Sequence, residues 1–329
     1  MPAPDIVTAL ICAIEDDCVV FMDVDFQRKA LGWGGARVGE AQAINRTDFD
    51  PHSIEDDQHK FNFKDLVSQI ITRLNAFRGE GRNVRFVSIS TFGNVDMKTG
   101  NVAYRPLDFD KPKNKYETFP FRNDICRKFE GIEVIIENDA SASALGEYVY
   151  GRCEQNEAFA YVWAGRGVNA GIVLDGYLWK GKLHPEAGHI PASIHPDDTL
   201  TKGACSSHNA CILGFASQRA INVRLQGDKI KGKPKLDKVL DWVAGYYAQL
   251  CMSITMIAAT ERIAIGGHLI NHYPQLIGKI QDSYGNLVGG YPAYSEQLNA
   301  KTYITCAVKS HDAALWGMVE ATRRHLNGN

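Results

Sequence analysis

The stretch that decides the fold is Ile135-Ile136-Glu137-Asn138-Asp139-Ala140-Ser141-Ala142-Ser143-Ala144-Leu145-Gly146-Glu147. Its first residues are apolar and β-branched, as in a buried strand, and the alanine-rich part favours a helix over 138–151. Asn138 and Asp139 stand at the junction, where either side chain can cap the helix by accepting a backbone N–H. The stretch therefore predicts a strand that delivers a carboxylate to the N-terminus of a helix.

Strand and helix patterns alternate on both sides of this stretch. The segment 28–60, with several glycines and a polar run, is expected to be loop-like. The predicted strands are 6–14, 18–24, 84–90, 133–136, 159–164 and 171–174, and the predicted helices are 63–77, 124–129, 213–225, 235–259 and 312–325. Because helices feed strands, the pattern indicates an α/β fold. No repeat of 20 to 50 residues is visible, although two similar halves can escape detection in one sequence.

Length and composition exclude several classes of protein. The chain has 329 residues, of which 45% are apolar and 22% charged, so it is long enough for about two domains. Its 36 basic and 38 acidic side chains leave a net charge of -2, without the basic excess that binds nucleic acid or anionic membranes. Eight cysteines are too sparse for a disulfide scaffold, which favours a reducing, cytoplasmic setting. No signal peptide is expected at the start, and 243–259 is too short and polar for a membrane span.

A cluster of metal-ligand residues occurs in Cys205-Ser206-Ser207-His208-Asn209-Ala210-Cys211. Thiolates and an imidazole at three-residue spacing let a short loop wrap around one tetrahedral zinc, which needs a fourth ligand from elsewhere. His189 is the best candidate for the fourth ligand, with His184 and His195 as alternatives. Two buried cysteines beside a surface histidine are the competing interpretation.

Two motifs together resemble the ROK family of sugar kinases, particularly its zinc-containing fructokinase branch. They are the Asn138-Asp139-Ala140 helix start and His184-Pro185-Glu186-Ala187-Gly188-His189-Ile190, with the cysteine cluster following at the spacing of that branch. The similarity extends from about residue 84 to 221 and continues weakly to the C-terminus. It implies an actin-like, ribonuclease H-like α/β fold with two domains around a central cleft. The expected domains are 1–137 and 138–311, with the helix at 312–329 packing back on the first.

The resemblance also implies roles for individual residues. Asp139 would be the general base that takes the proton from the sugar hydroxyl attacking ATP, with Mg²⁺ as the companion of ATP. Sugar hydroxyls would bind to Asn138, Glu186, His189, Gly93 and Asn94. A structural zinc would be held by His189, Cys205, His208 and Cys211. A small-molecule sugar and a second copy of the chain, forming a homodimer, are the expected partners.

The sequence departs from the family mainly where the nucleotide would bind. In the first hairpin the acidic residue remains as Glu15, but Asp17 and Cys18 replace two glycines, and Val19-Val20 replaces Thr-Lys. A side chain at a glycine position blocks close approach of the backbone to phosphate, and Asp17 adds repulsion. The other altered positions are in Gly165-Arg166-Gly167, where Arg166 replaces a hydroxyl residue, and in Gly266-Gly267-His268, where His268 replaces a third glycine.

Three functions remain open from the sequence. The first is an ATP-dependent kinase for a hexose, and the second is a sugar-binding homologue that no longer uses ATP, as a pseudokinase, sensor or partner subunit. The third is different acid/base chemistry on a sugar, with Asp139 facing Glu186. A DNA-binding repressor is not expected, because the first hairpin begins within ten residues of Met1 and no basic recognition helix is found.

Overall fold

Strands and helices alternate along the chain in the computed structural model, which describes residues 6–15, 18–29, 32–45, 63–104, 117–151, 158–226, 235–291, 299–310 and 312–328. The strands are β1 (Ile6–Ile14), β2 (Cys18–Lys29), β3 (Gly32–Val38), β4 (Gln42–Asn45), β5 (Val84–Thr91), β6 (Asn94–Asp96), β7 (Asn101–Tyr104), β8 (Glu117–Phe119), β9 (Glu133–Asn138), β10 (Phe159–Ala164), β11 (Val168–Leu174), β12 (Tyr177–Leu178), β13 (Arg262–Gly266) and β14 (Ile304–Cys306). The helices are α1 (Phe63–Gly79), α2 (Phe121–Lys128), α3 (Asp139–Tyr150), α4 (Ile212–Ala216), α5 (Gln218–Gln226), α6 (Leu236–Ala258), α7 (His268–His272), α8 (Leu276–Val288), α9 (Ala300–Tyr303) and α10 (Ala313–Leu326).

Two larger sheets have the same topology. In sheet 1 the order is β3-β2-β1-β5-β9, with β4 also paired to β2, and in sheet 2 it is β12-β11-β10-β13-β14. Each sheet begins with antiparallel strands and ends with two parallel pairs, β1 with β5 and β5 with β9 in sheet 1, β10 with β13 and β13 with β14 in sheet 2. The two halves therefore form an internal repeat that one sequence does not reveal. A small sheet, β6-β7-β8, extends from the first half.

The helices α3 and α10 follow equivalent strands, β9 and β14, and pack against each other between the two sheets. Their contact is too close for a side chain at Gly317, where an added Cβ would lie 1.8 Å from the carbonyl oxygen of Ala142. Leu315 and Met318 of α10 share a core with β1 of sheet 1, whereas Ala140 and Ala144 of α3 share one with β10 of sheet 2. The division of the chain at residue 137 stays a prediction.

The structure corrects the prediction of a loop-like region at 28–60. Within its described residues, β2 extends to Lys29, and β3 and β4 pair antiparallel with β2. Backbone pairing stabilises these strands, and their side chains are mostly half-buried or exposed, so the sequence lacks the alternation that marks a strand. The predicted helix at 213–225 is likewise divided at Ser217 into α4 and α5.

The long helix α6 is a core helix. Its apolar side, including Val243, Tyr247 and Leu250, joins the largest buried cluster, beside sheet 2. Across the described segments, we find no helix with the combined length and apolarity that spanning a membrane requires.

Candidate functional site

Asn138 and Asp139 lie where the last strand of sheet 1 runs into α3. Asn138 has extended backbone angles and caps the helix, its Oδ1 accepting the N–H of Ala140 at 3.1 Å. Asp139 is half-buried, and its Oδ1 accepts the same N–H at 2.7 Å. The positive end of the helix dipole favours a negative charge here. The junction therefore presents an oriented carboxylate at the carboxyl end of a parallel strand, where α/β sheets commonly bind ligands.

The turn that contains Gly93 lies beside this helix start. β5 pairs with β9 so that Thr91 is opposite Asn138, and the chain then turns through Gly93 at a φ of 88°. The Asn138 Nδ2 donates a hydrogen bond to the carbonyl oxygen of Gly93 at 3.4 Å. Asn94 begins β6 and is half-buried. Asn138, Gly93 and Asn94, which the sequence predicts to bind sugar, are thus brought together.

Glu186 precedes a 3-10 turn, Ala187–His189, and His189 is the last residue of that turn. The turn packs on the start of β11. An added Cβ at Gly188 would lie 1.8 Å from the carbonyl oxygen of Val168, so glycine permits this contact. His184 lies 3.7 Å from the Glu186 carboxylate through its Nε2, and the same nitrogen accepts the Val95 N–H at 3.2 Å. Burial raises the pKa of Glu186, and the nearby His184 and His189 partly offset that rise. Contacts through His184 thus connect Glu186 to the Gly93 turn.

His189, Cys205, His208 and Cys211 form one cluster, in which the nearest ligand atoms all lie within 4.8 Å of one another. The Nδ1 of His189 is 3.8 Å from the Cys205 sulfur, 3.8 Å from the Cys211 sulfur and 3.2 Å from Nδ1 of His208. In tetrahedral zinc sites, metal bonds of about 2.0–2.3 Å place neighbouring ligand atoms about 3.3–3.8 Å apart. The spacing and the soft donor set therefore fit zinc. His184 and His195, the alternative fourth ligands, do not belong to this cluster.

Within the cluster, the pKa shift of Cys205 favours the deprotonated form that binds a metal. A hydrogen bond from the Cys211 thiol and contact with His189 lower the pKa of Cys205 to about 3, and the pKa of Cys211 is raised by that same shared proton. Hydrogen bonding to Cys205 raises the pKa of His189 despite its partial burial. Negative charge on sulfur is what a metal ligand requires.

The loop that carries the cluster is anchored from behind by a buried ion pair that the sequence analysis did not identify. Asp198 and Arg224 have fully buried side chains and pair in a bidentate manner, at 2.9 Å and 2.6 Å. The Tyr246 hydroxyl donates to the same carboxylate at 2.7 Å and accepts the His195 N–H at 3.2 Å. Burial tends to raise the pKa of Asp198, but the bonds from Arg224 and Tyr246 bring it below its ordinary value. In the sequence, the one feature that bears on this ion pair is the place of Arg224 in a predicted helix.

A cleft of about 260 Å³ lies between the two larger sheets, on the side where the sequence predicts nucleotide residues. Glu15, Gly267 and His268 line it, together with Trp163 and Asp312, which were not predicted. Among the described residues that line this cleft, none is a lysine or arginine. Cys18 and Val20 from the altered hairpin form part of the wall, whereas Asp17 lies outside the described residues.

The turn Gly165–Gly167 connects β10 to β11 near this cleft. The Gly165 N–H donates to the Gly167 carbonyl at 3.0 Å, and the Gln218 N–H donates to the Gly165 carbonyl at 3.0 Å. The Gln218 side chain contacts Nε2 of His268. His268, which replaces a third glycine of the family motif, is therefore connected to this turn through Gln218. Arg166 of the turn is half-buried, and Gly266 is the last residue of β13. Neither Arg166, Gly165, Gly167 nor Gly266 lines the cleft itself.

Tyr161 is a buried tyrosine on β10. Burial raises the pKa of its hydroxyl well above the ordinary value, and the nearby carboxylates of Glu15, Glu147 and Asp139 add to the rise. The Asp139 carboxylate can accept a proton from a ligand bound beside it.

Comparison with known proteins identifies the class. Residues 52–324 match the profile of the ROK family, which is more than half of the chain. The protein belongs to the ROK family.

Individual relatives agree with this assignment. A putative fructokinase of Bacillus subtilis (strain 168) is 30% identical over 208 residues, covering 61% of this chain and 68% of that protein. The ROK hexokinase of Thermus thermophilus superposes with a TM-score of 0.66 at 18% identity, over 95% of this chain and 96% of the other. A ROK family glucokinase from Streptomyces griseus, solved with glucose and AMPPNP, superposes with a TM-score of 0.64 at 19% identity, over 95% and 98% of the two chains. The prediction of an actin-like α/β fold around a central cleft is confirmed.

Proposed function

We propose that this protein is a sugar kinase of the fructokinase or hexokinase type, which transfers the γ-phosphoryl group of ATP to a hexose hydroxyl. The observation that carries the proposal is the position of Asp139. Its carboxylate is held at the head of α3, next to Asn138, whose side chain contacts the Gly93 carbonyl. The B. subtilis relative is named a putative fructokinase, and the S. griseus glucokinase was solved in complex with glucose and AMPPNP.

In this proposal Asp139 is the general base. The sugar hydroxyl loses its proton to the Asp139 carboxylate as its oxygen bonds to the γ-phosphorus, and the bond from that phosphorus to the β–γ bridging oxygen breaks to release ADP. Proton acceptance by a positioned carboxylate contributes about 10²- to 10⁴-fold to a rate. Most of the remaining acceleration in phosphoryl transfer comes from alignment and charge neutralisation, to which Mg²⁺ bound with ATP contributes.

Sugar hydroxyls would be held by the side chains around Asp139. Asn138 and Asn94 offer amide groups, Glu186 offers a carboxylate acceptor, and Gly93 leaves room for close approach of its backbone. Because Nδ1 of His189 faces the cysteine cluster, its Nε2 is on the opposite side of the ring and can contact a hydroxyl. These groups discriminate between sugars by the hydrogen bonds that they can complete.

Zinc would have a structural role, held by His189, Cys205, His208 and Cys211. With four protein ligands a tetrahedral site has no open position, so the ion would supply rigidity to the loop rather than an electrophile. The cluster residues in turn determine the orientation of the His189 ring.

The test is a coupled assay of ADP release across hexoses and amino sugars, with sugar binding measured separately by calorimetry. The proposal predicts turnover with at least one hexose. Measurable sugar binding without turnover of any sugar would rule out the kinase.

A second candidate is a sugar-binding protein that does not use ATP. The observation in its favour is the composition of the cleft, where Glu15 and Asp312 contribute carboxylates and the described lining residues include no lysine or arginine. Such a wall repels a triphosphate unless a metal intervenes. Calorimetry with ATP and Mg²⁺ distinguishes the candidates, since micromolar affinity for the nucleotide contradicts the second. Homodimer formation and a cytoplasmic location stay predictions.

A further inference from the structure

His184 is a completely buried histidine whose two ring nitrogens both have partners. Its Nε2 accepts the backbone N–H of Val95 at 3.2 Å, and its Nδ1 lies 3.1 Å from the carbonyl oxygen of Pro185. Because an N–H can only donate, Nε2 carries no proton, and Nδ1 is the nitrogen that donates to Pro185. This arrangement determines both the tautomer and the orientation of the ring. His184 also differs from the cluster histidines, because it is not among the four residues that could hold a metal.

The contact with Val95 crosses from one half of the chain to the other. His184 follows β12, at the edge of sheet 2, whereas Val95 lies in β6, just after the Gly93 turn of sheet 1. Val95 is itself fully buried, so its N–H depends on His184 as the acceptor that replaces water. The segment Gly93–Val95 is therefore held at two points, by Asn138 at the Gly93 carbonyl and by His184 at the Val95 N–H.

A second side chain of the same connection contacts the residue next to Asn138 in sheet 1. Lys180 pairs with Glu137, the residue that precedes Asn138 in β9. The Glu137 side chain is 8% exposed and that of Lys180 is 25% exposed, so the pair is largely shielded from solvent. The chain from Lys180 to His184 thus contacts β9 at Glu137 and β6 at Val95, and it continues directly into Glu186, which lies 3.7 Å from His184.

We propose that His184 is a positioning residue for the sugar pocket: it fixes the segment Gly93–Val95 relative to Asn138, without touching the sugar. The inference rests on the proposed function for the identity of the ligand. Its physical basis is that a buried N–H without an acceptor is strongly unfavourable, so Val95 moves when the imidazole nitrogen is removed. Displacement of the segment then changes the position of the groups that bind hydroxyls.

The test compares His184→Phe, which keeps a ring but removes the acceptor, with His184→Gln, whose Oε1 can accept the Val95 N–H. His195→Phe is the matched control. His195 belongs to the same region and accepts an N–H through Nδ1, but from Asp197 in its own exposed turn. Three quantities are measured on the full chain: amide hydrogen exchange of the peptide 92–97, sugar affinity by calorimetry with glucose and with fructose, and the separate KM values for sugar and ATP.

We expect His184→Phe to accelerate exchange at 92–97 and to raise the sugar Kd and KM about ten- to a hundredfold, as expected for one lost buried hydrogen bond. In His184→Phe the KM for ATP stays within about twofold of the wild-type value, since His184 lies outside the cleft. His184→Gln recovers part of the sugar affinity. His195→Phe changes none of the three. Metal content and the thermal unfolding midpoint show that each variant is folded. If His184→Phe does not fold, the same three quantities are compared between His184→Gln and the wild type.

The outcomes separate this inference from the proposed function. Wild-type protein that binds neither sugar contradicts the proposed function, and exchange at 92–97 still reports on His184. Unchanged exchange in His184→Phe overturns the positioning role whether or not a sugar binds. Faster exchange with unchanged sugar affinity, in a protein that binds sugar, also overturns it, because the segment would then be irrelevant to binding.

Discussion

The sugar-side residues and the nucleotide-side cleft are built in different ways, although both lie between the same pair of sheets. On the sugar side, Asn138, Gly93, His184 and Glu186 are joined by direct contacts, and the cysteine cluster is close behind. On the other side, Cys18, Val20 and Trp163 line a cleft with carboxylates and no described lysine or arginine. The comparison indicates that the residues expected to bind sugar form a more closely connected group than those expected to bind phosphate.

Loss of the metal cluster is expected to have the largest effect. Binding of a structural zinc is coupled to folding and contributes on the order of 10 kcal/mol in small domains, so removing ligands should unfold the 189–211 loop. We expect Cys205→Ser with Cys211→Ser to abolish metal binding, lower the thermal midpoint and eliminate sugar binding. Metal analysis and calorimetry measure these changes. Cys126→Ser, at an exposed cysteine outside the cluster, is the control. Full metal content in the double variant would exclude this cluster as the site.

Asp139→Asn tests chemistry without removing the helix start. The amide keeps the size and the capping ability of the carboxylate but cannot accept the proton, so kcat should fall about 10²- to 10⁴-fold while the sugar Kd changes little. Steady-state kinetics and calorimetry provide the two values. Asp237→Asn, in the first turn of α6, removes an exposed carboxylate from another helix start and is the control. An unaltered kcat in Asp139→Asn would show that Asp139 is not the general base.

Arg224→Met tests whether the loop behind the cluster depends on the buried ion pair. The change leaves Asp198 buried without its cation, which typically costs about 3–5 kcal/mol of unfolding free energy at pH 7. Denaturant unfolding measures the loss. Arg37→Met is the control, because Arg37 is 64% exposed and lies 3.7 Å from Asp23, where a pair is worth at most about 1 kcal/mol.

The same pair predicts a dependence on pH. In the wild type the pKa of Asp198 is below its ordinary value of 3.8, so its contribution to stability is present above that pH and is lost as pH falls through the folded-state value. In Arg224→Met the carboxylate loses the interaction that lowers its pKa, and protonation then relieves the unpaired charge. The difference in stability between the two proteins should therefore shrink between pH 7 and pH 4. A constant difference would mean that Asp198 is not the group responsible.

His268→Ala is expected to have the smallest effect and to act only on the nucleotide side. It removes one hydrogen bond to Gln218 and opens space in the cleft, so the KM for ATP should change by at most about tenfold. The sugar KM should not change. His272→Ala, at an exposed position of the same helix, is the control. An equal effect on both substrates would show that the two sides are not separate.

Much of the sugar side could be predicted because local chemistry determines it. The strand that ends at Asn138, the helix that begins at Asp139 and the three-residue spacing of Cys205, His208 and Cys211 are all patterns within short segments. Predictions failed where contacts are distant in sequence. Arg224 and Asp198 are 26 residues apart, and His184 and Val95 are 89 residues apart, so neither pair leaves a local signal.

By itself, the sequence determined the α/β alternation, the capped carboxylate at 139 and the ROK resemblance, because hydrophobic period, helix caps and ligand spacing act over a few residues. Tertiary structure alone decided that β3 and β4 are strands and that the two sheets share one topology, since strand pairing depends on partners remote in the chain. The sequence favoured His189 over His184 and His195 as the fourth residue of the cysteine cluster. The tertiary structure supplies the reason: the 187–189 turn packs on β11, and His189 lies in the cluster.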